Sequence, residues 1–197
     1  MLSELKMTSP RGPRRINLNR RVFIKLGVLA TVAVTIDPAR TLASAAPDLH
    51  ARKNLSLFNT HTAEHLHICY CRDGAHDYDA IDRISHLMRD HRTGEVKPID
   101  TRVLDILYRL SRRLSSRGPL HIVSGYRSPS TNQALHKKSA GVASNSFHVR
   151  GMAVDFRLPN CKTAIVSETA VKLKAGGVGY YPKSDFVHVD CGPVRRW

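Results

Sequence analysis

Ser146-Phe147-His148-Val149-Arg150-Gly151-Met152-Ala153-Val154-Asp155-Phe156 runs from a polar loop into a short apolar strand with a carboxylate inside it. A charge in the middle of Met-Ala-Val-Asp-Phe is costly to bury unless it is paired, so Asp155 demands a strong partner. Further along, Phe186-Val187-His188-Val189-Asp190 repeats the pattern, with an imidazole breaking an apolar β run. Strand pleating sends His188 and Asp190 to one side and Val187 and Val189 to the other. One face of these strands is therefore built for a core, and the other carries chemistry.

Working outward, the neighbouring segments read as short elements. Leu120-His121-Ile122-Val123-Ser124 is β-prone and ends at Gly125, and a short polar helix is expected around 130–138. Residues 162–175 read as a helix closed by Gly176-Gly177, and 178–181 as a strand. Upstream, Ile81, Ile84, Leu87 and Met88 recur at helical spacing within 79–91, ended by Thr93-Gly94. A second helix follows Asp100 as N-cap, with Val103, Leu107, Leu110 and Leu114 on one stripe, and Gly118-Pro119 stops it. Residues 55–70 alternate loosely into the turn Arg72-Asp73-Gly74 and read as a first hairpin or edge strand. Helices first and strands mainly later predict an α+β domain: a small, mainly antiparallel sheet with helices packed on one face.

The N-terminus is organised differently. Arg20-Arg21-Val22-Phe23-Ile24-Lys25, a mostly apolar stretch to Ile36 and then Ala43-Ser44-Ala45 form a secretory signal of twin-arginine type over residues 1–45. Residues 46–54 read as a tether and 55–197 as the functional domain. The whole chain of 197 residues carries 31 Lys+Arg against 16 Asp+Glu, a formal charge of +15. Removing residues 1–45 takes eight basic and two acidic side chains and leaves +9. An exported basic protein meets anionic cell-wall polymer rather than nucleic acid, and no aromatic-basic nucleic-acid motif is present. No apolar run approaches the roughly 18 residues of a membrane span, so no stable membrane insertion is expected after signal cleavage.

Two histidines and one aspartate, each interrupting a β run or its approach, match the three protein ligands that leave a zinc open to water. Taken singly, each is more commonly a hydrogen-bonded strand residue; together they form a candidate set, His148, Asp155 and His188. Asp190 shares the face of His188 and suits either the cleft or a hydrogen bond that fixes the imidazole tautomer.

A second cluster competes for attention. His65, His67, Cys69 and Cys71 occur at every second position, so a strand would place all four on one face. Such donors suit zinc or copper, but an edge strand with outward polar residues is the favoured reading. Cys69 and Cys71 lie about 6.6–7 Å apart in such a strand, beyond comfortable disulfide reach. Pairing of either with Cys161 or Cys191 is left open, and so is a role for Cys191 at the metal.

The words Ser-x-His-x-x-Gly-x-Ala-x-Asp, the later His188 and the loop Ser124-Gly125-Tyr126-Arg127-Ser128 resemble the zinc D-Ala-D-Ala peptidases, whose fold is shared with the hedgehog signalling domain. Gly176-Gly177-Val178-Gly179-Tyr180-Tyr181-Pro182 and the region opening at His61-Thr62 bring the resemblance to the murein endopeptidase K-like branch. It implies one zinc per chain held by His148, Asp155 and His188, and hydrolysis of peptide cross-links in periplasmic peptidoglycan. It further implies that Arg127 stabilises the oxyanion or a substrate carboxylate and that Ser146 helps hold substrate. Related enzymes carry an acidic base three residues before the final ligand, which here is Asp185. That position has the wrong pleat parity unless a turn intervenes, so Asp185 is favoured as base and Asp190 stays open. A D-amino-acid carboxypeptidase or dipeptidase using the same zinc is the nearest alternative. A non-catalytic cell-wall binding module is the other, and it would need a fourth protein ligand.

Overall fold

A computed structural model describes residues 52–139, 141 and 143–197. The expected signal at 1–45 and most of the expected tether lie outside the described residues. The chain enters the fold earlier than the sequence reading placed it: β1 spans Lys53–Asn59 and already contains the last two tether positions. It is followed by β2 (His65–Arg72), β3 (Ala75–His76), α1 (Tyr78–Leu87) and α2 (Thr101–Arg113). Next come β4 (Leu120–Ser124), α3 (Pro129–Lys138), a 3-10 turn at Phe147–Arg150 and β5 (Ala153–Arg157). The remainder is α4 (Thr163–Leu173), β6 (Gly177–Tyr181), a 3-10 turn at Pro182–Ser184, β7 (Phe186–Asp190) and β8 (Arg195–Arg196).

Among the described residues the strands form one eight-stranded sheet in the order β3-β2-β1-β4-β5-β7-β6-β8. The α+β class holds, but the sheet is mixed. β1 runs parallel to β4, and β6 runs parallel to β8. The long passage through α1 and α2 between β1 and β4 makes the first parallel pair, since such pairs need a crossover rather than a tight turn.

Alternation along the strands sets the layers. Leu55, Leu57, Leu120, Ile122, Val154, Phe156, Val187 and Val189 are all buried in one cluster with the apolar faces of the helices. α1 packs on β2, α2 on β1 and β7, and α4 on β6 and β7. Each fully buried Val or Leu in this layer contributes about 1.5–3 kcal/mol relative to exposure. Caps fix the helix starts: Asp77 accepts from the Ala80 amide at 3.0 Å and Asp100 from the Arg102 amide at 2.9 Å, each worth about 1 kcal/mol.

The close of α4 differs from the sequence reading. Lys174, at φ 49°, takes the left-handed position after Leu173, so the glycines do not end the helix. Gly176 serves a close approach instead, since a Cβ there would lie 1.8 Å from the carbonyl oxygen of Asp190.

Candidate metal centre

β5 and β7 are antiparallel neighbours, and their register sets Asp155 directly opposite His188. Residues opposed in this way project to the same face of the sheet. Val154, Phe156, Val187 and Val189 anchor the opposite face in the core, so Asp155 and His188 face away from the helices. His148 arrives from the 3-10 turn just before β5. Ser146 caps that turn by accepting from the His148 amide at 3.3 Å, and the His148 carbonyl accepts from the Arg127 amide at 3.3 Å.

The three side chains converge. His148 Nε2 lies 3.2 Å from Asp155 Oδ1 and 3.1 Å from His188 Nδ1, and His188 Nδ1 lies 2.8 Å from Asp155 Oδ1. The outer ring nitrogens are engaged elsewhere. His148 Nδ1 is 2.7 Å from the Gly125 carbonyl, so it donates there. His188 Nε2 is 3.0 Å from Asp190 Oδ2 and donates to that carboxylate. With the outer positions protonated, each neutral ring presents a lone pair inward, toward a carboxylate oxygen. Three acceptors this close repel one another unless a cation lies between them. Ligand bonds of 2.0–2.2 Å in a tetrahedral site put ligand atoms about 3.4 Å apart, so two sides of this triangle need to open by about 0.2–0.3 Å and the third by about 0.6 Å. The residues therefore fit a divalent metal, and they are the only His, Cys, Asp or Glu group among the described residues with this convergence.

Protonation follows the same geometry. Burial would raise the Asp155 pKa, but the two facing imidazoles overcome it and hold the carboxyl far below its usual range. Burial lowers the His148 pKa and keeps that ring neutral despite the attraction of Asp155. For His188 burial acts in the same direction, but hydrogen bonds to Asp155 and Asp190 outweigh it and raise the pKa. A proton on His188 is thus the occupant that a metal must displace.

The surroundings brace this triangle. Arg127 pairs through Nη2 with Asp155 Oδ2 and through Nε with Ser124 Oγ at 2.8 Å. Its loop is held from below by Asp90, whose Oδ2 accepts from the Ser128 amide at 2.9 Å. Burial opposes the charge on Asp90, yet hydrogen bonds from Thr131, Ser128 and Arg92 bring its pKa down to about 2. Asp190 is fully buried, and Arg195 grips both of its oxygens at 3.0 and 2.7 Å while the Gly192 amide adds a third bond at 2.8 Å. Asp190 therefore orients His188 and has no oxygen turned to the cleft.

The cleft itself, of about 480 Å3, is lined by Arg127, Ser146, Phe147, His148, Asp155, Tyr181, His188 and Trp197 among others. Asp185 is not on its wall. The 3-10 turn at Pro182–Ser184 leaves Asp185 with φ 49°, and its carboxylate bonds to Thr163 Oγ1 and lies 3.9 Å from Arg157. The intervening turn does change the parity, but it carries the acid toward α4, so the expected base does not reach the metal locus in this geometry. Cys191 also falls away, with Sγ donating toward the Met152 carbonyl at 3.7 Å.

The His/Cys strand gives no second site. His65 and His67 are exposed, whereas Cys71 is buried in the core beside Tyr70. A bulge between Lys53 and Asn54 breaks the strict alternation. Cys69, Cys71, Cys161 and Cys191 are all free thiols, so neither open disulfide pairing is made.

A family model described as peptidoglycan L,D-endopeptidase MepK matches residues 48–197. The chain belongs to the MepK peptidase family. The MepK peptidoglycan L,D-endopeptidase of Escherichia coli (strain K12) is 37% identical over 185 residues, covering 93% of this chain and 99% of the relative. The probable MepK endopeptidase of Haemophilus influenzae is 35% identical over 183 residues, covering 92% and 97%. Within this chain, sequence reasoning missed Asp90, Arg195 and Trp197. Asp90 had a usable signal, an acid two residues past the apolar Leu87-Met88 end of a helix. Arg195 and Trp197 follow β7 in a segment too short for any periodicity.

Proposed function

We propose that the chain is an exported, zinc-dependent peptidoglycan hydrolase that cleaves peptide cross-links in the periplasm. The observation that carries this reading is the inward triangle of His148 Nε2, His188 Nδ1 and Asp155 Oδ1, three acceptors that no fourth His, Cys, Asp or Glu among the described residues joins. Three ligands leave a coordination position for chemistry, whereas a structural zinc is ordinarily closed by four. The twin-arginine pattern at residues 20–25 supports export, and the names of the relatives support the substrate. Among the described residues no helix is long and apolar enough to cross a membrane.

Zinc held by His148, Asp155 and His188 would supply Lewis acidity, activating water and polarising a peptide carbonyl. The protein's own part is positional. Gly125 and Asp190 fix the two imidazole tautomers so that the correct nitrogens face inward. Arg127 takes up Asp155 Oδ2, leaving Oδ1 for the metal, and its guanidinium on the cleft wall offers positive charge where the carbonyl oxygen gathers negative charge. Ser146, also on the wall, offers a hydroxyl to the substrate backbone. Asp185 takes part as base only by leaving Thr163 and Arg157, and Asp190 acts through His188 rather than on substrate.

The test is digestion of defined, cross-linked muropeptide dimers by the zinc-loaded and the metal-stripped protein, with mass spectrometry of the products. Zinc-dependent release of monomers is the expected result. Loss of a single terminal residue would instead reveal a carboxypeptidase, and no turnover by folded, metal-replete protein would leave a binding module.

A further inference from the structure

We infer that Trp197 is a substrate-contact residue, a fixed aromatic wall against which the aliphatic stem of a side chain flanking the scissile bond packs. This rests on the hydrolase reading above and adds a specificity element to the same cleft. Trp197 is half exposed, an unusual state for so large an apolar side chain, and it lines the cleft. Its ring centroid is 5.3 Å from that of His188 at a tilt of 49°, which puts it beside the reacting centre and not in the core.

The ring is exposed but not free. Its backbone is clamped on both sides: the Trp197 amide donates to the Val178 carbonyl at 3.1 Å, and the Tyr180 amide donates to the Trp197 carbonyl at 3.0 Å. The indole N–H donates to the Tyr181 hydroxyl at 2.9 Å. Its seat is cut by Gly179, where a Cβ would stand 2.8 Å from Trp197 Cε2. Arg195, held by Asp190, lies over the ring at 5.0 Å and over Phe147 at 5.1 Å. An apolar face held this firmly loses little entropy when a ligand covers it, the property that makes rigid aromatics strong contact points. Arg127 and the metal locus serve the polar peptide unit, so the chemistry left for the ring is a run of methylene groups one side chain away.

Trp197 is the only tryptophan in the chain, so emission excited at wavelengths beyond tyrosine absorption reports on this residue alone. The experiment mixes the zinc-loaded full-length protein with a cross-linked muropeptide dimer and follows emission by stopped flow, then measures kcat, KM and zinc content for wild type, W197F and W197A. The expected result is an emission change in the binding phase, ahead of product. With it, KM should rise about tenfold in W197A and less in W197F, with kcat within about threefold and zinc content unchanged. Unchanged emission throughout turnover overturns the inference and leaves the hydrolase reading intact. So does a fall in kcat at constant KM, or loss of zinc from W197F, since the ring would then act through His188. If the wild type never turns over, the hydrolase reading fails, and the muropeptide-dependent emission of the wild type, with muropeptide affinity of wild type and W197A compared by calorimetry, still decides the contact.

Discussion

β7 and β2 carry the same kind of sequence, metal-ligating side chains at alternate positions of a strand, yet only β7 contributes to a metal-competent site. The difference lies in their neighbours. β7 is flanked by β5 and β6, and β5 presents Asp155 directly opposite His188. β2 is paired along most of its length with β1, which sets Phe58 opposite His65 and Ser56 opposite His67. A phenyl ring and a hydroxymethyl group supply no strong ligand, and the Phe58 ring packs against His65 at 4.4 Å between centroids. Alternation within one strand is thus insufficient; a site needs complementary donors across the ladder and a loop to close over them. His148 is that closing element, and β2 has no counterpart.

The sharpest way to break this contrast is to remove the ligands that meet His188 of β7 on one side and those of β2 on the other. His148→Ala or Asp155→Ala should abolish both zinc retention and muropeptide cleavage, read by elemental analysis and product mass spectrometry. The combined change H65A, H67A and C69S should leave one zinc per chain. Wild-type zinc content in Asp155→Ala, or a lost equivalent in the triple variant, would reverse the assignment of the two strands.

A smaller effect is expected one step out from the ligands. Asp190→Asn keeps the shape of the side chain but weakens the acceptor that fixes His188, and the exposed Arg195 loses its charge partner. Zinc affinity should fall about 10–100-fold while the fold persists, measured by competition with a chromophoric chelator alongside circular dichroism. Among the described residues no carboxylate bond of this kind is seen at the exposed His65 or His67, so the contrast between the strands extends to their support.

Proton linkage is the third lever, and its sign is fixed by the raised His188 pKa. Without metal that ring holds a proton to higher pH than an ordinary histidine, whereas buried His148 is already neutral. Zinc binding at neutral pH should therefore release a proton, chiefly from His188, and zinc affinity should decline as pH falls through the histidine range. Calorimetry in buffers of different ionisation enthalpy measures the release. A proton count of zero at pH 6 would contradict the hydrogen-bonded state of His188 described here.

Much of the site was legible because its residues violate local rules. Asp155 and His188 interrupt apolar strands, and period-two alternation alone places His188 and Asp190 together on the face opposite Val187 and Val189. The layers of the core and the N-cap at Asp100 followed from similar local patterns. What could not be read was non-local. The parallel pairing of β1 with β4 and of β6 with β8 leaves no mark in either strand's alternation, because register across a crossover is set by packing. Arg195 sits on a two-residue strand whose pattern is exposed throughout and Trp197 directly follows it, so nothing in the sequence announces that they wrap back to the cleft. Cys71 was misplaced for a related reason: between the pairs Lys53–Cys71 and Asn54–Cys69 the register slips by one, leaving Tyr70 as the extra residue of β2, and beyond it Cys71 turns into the core.

Asp185 gives the smallest expected effect and the most direct test of how far turn geometry outweighs spacing. Its position three residues before His188 matches the acid of related zinc peptidases, but a 3-10 turn and a left-handed backbone carry the carboxylate to Thr163 and toward Arg157. These partners are at the surface, where such pairs contribute about 0–1 kcal/mol, so Asp185→Asn should scarcely change stability. If the geometry described here persists during turnover, kcat should stay within about threefold of wild type and the acidic limb of its pH profile should not move. A fall of a hundredfold or more with that limb displaced would mean that Asp185 leaves Thr163 during the reaction, and the loop before β7 would then be a moving part of the enzyme. Thr163→Val separates the two outcomes further. Releasing the carboxylate should raise activity if Asp185 is the base held in reserve, and should do nothing if the hydroxyl merely ties the turn to α4.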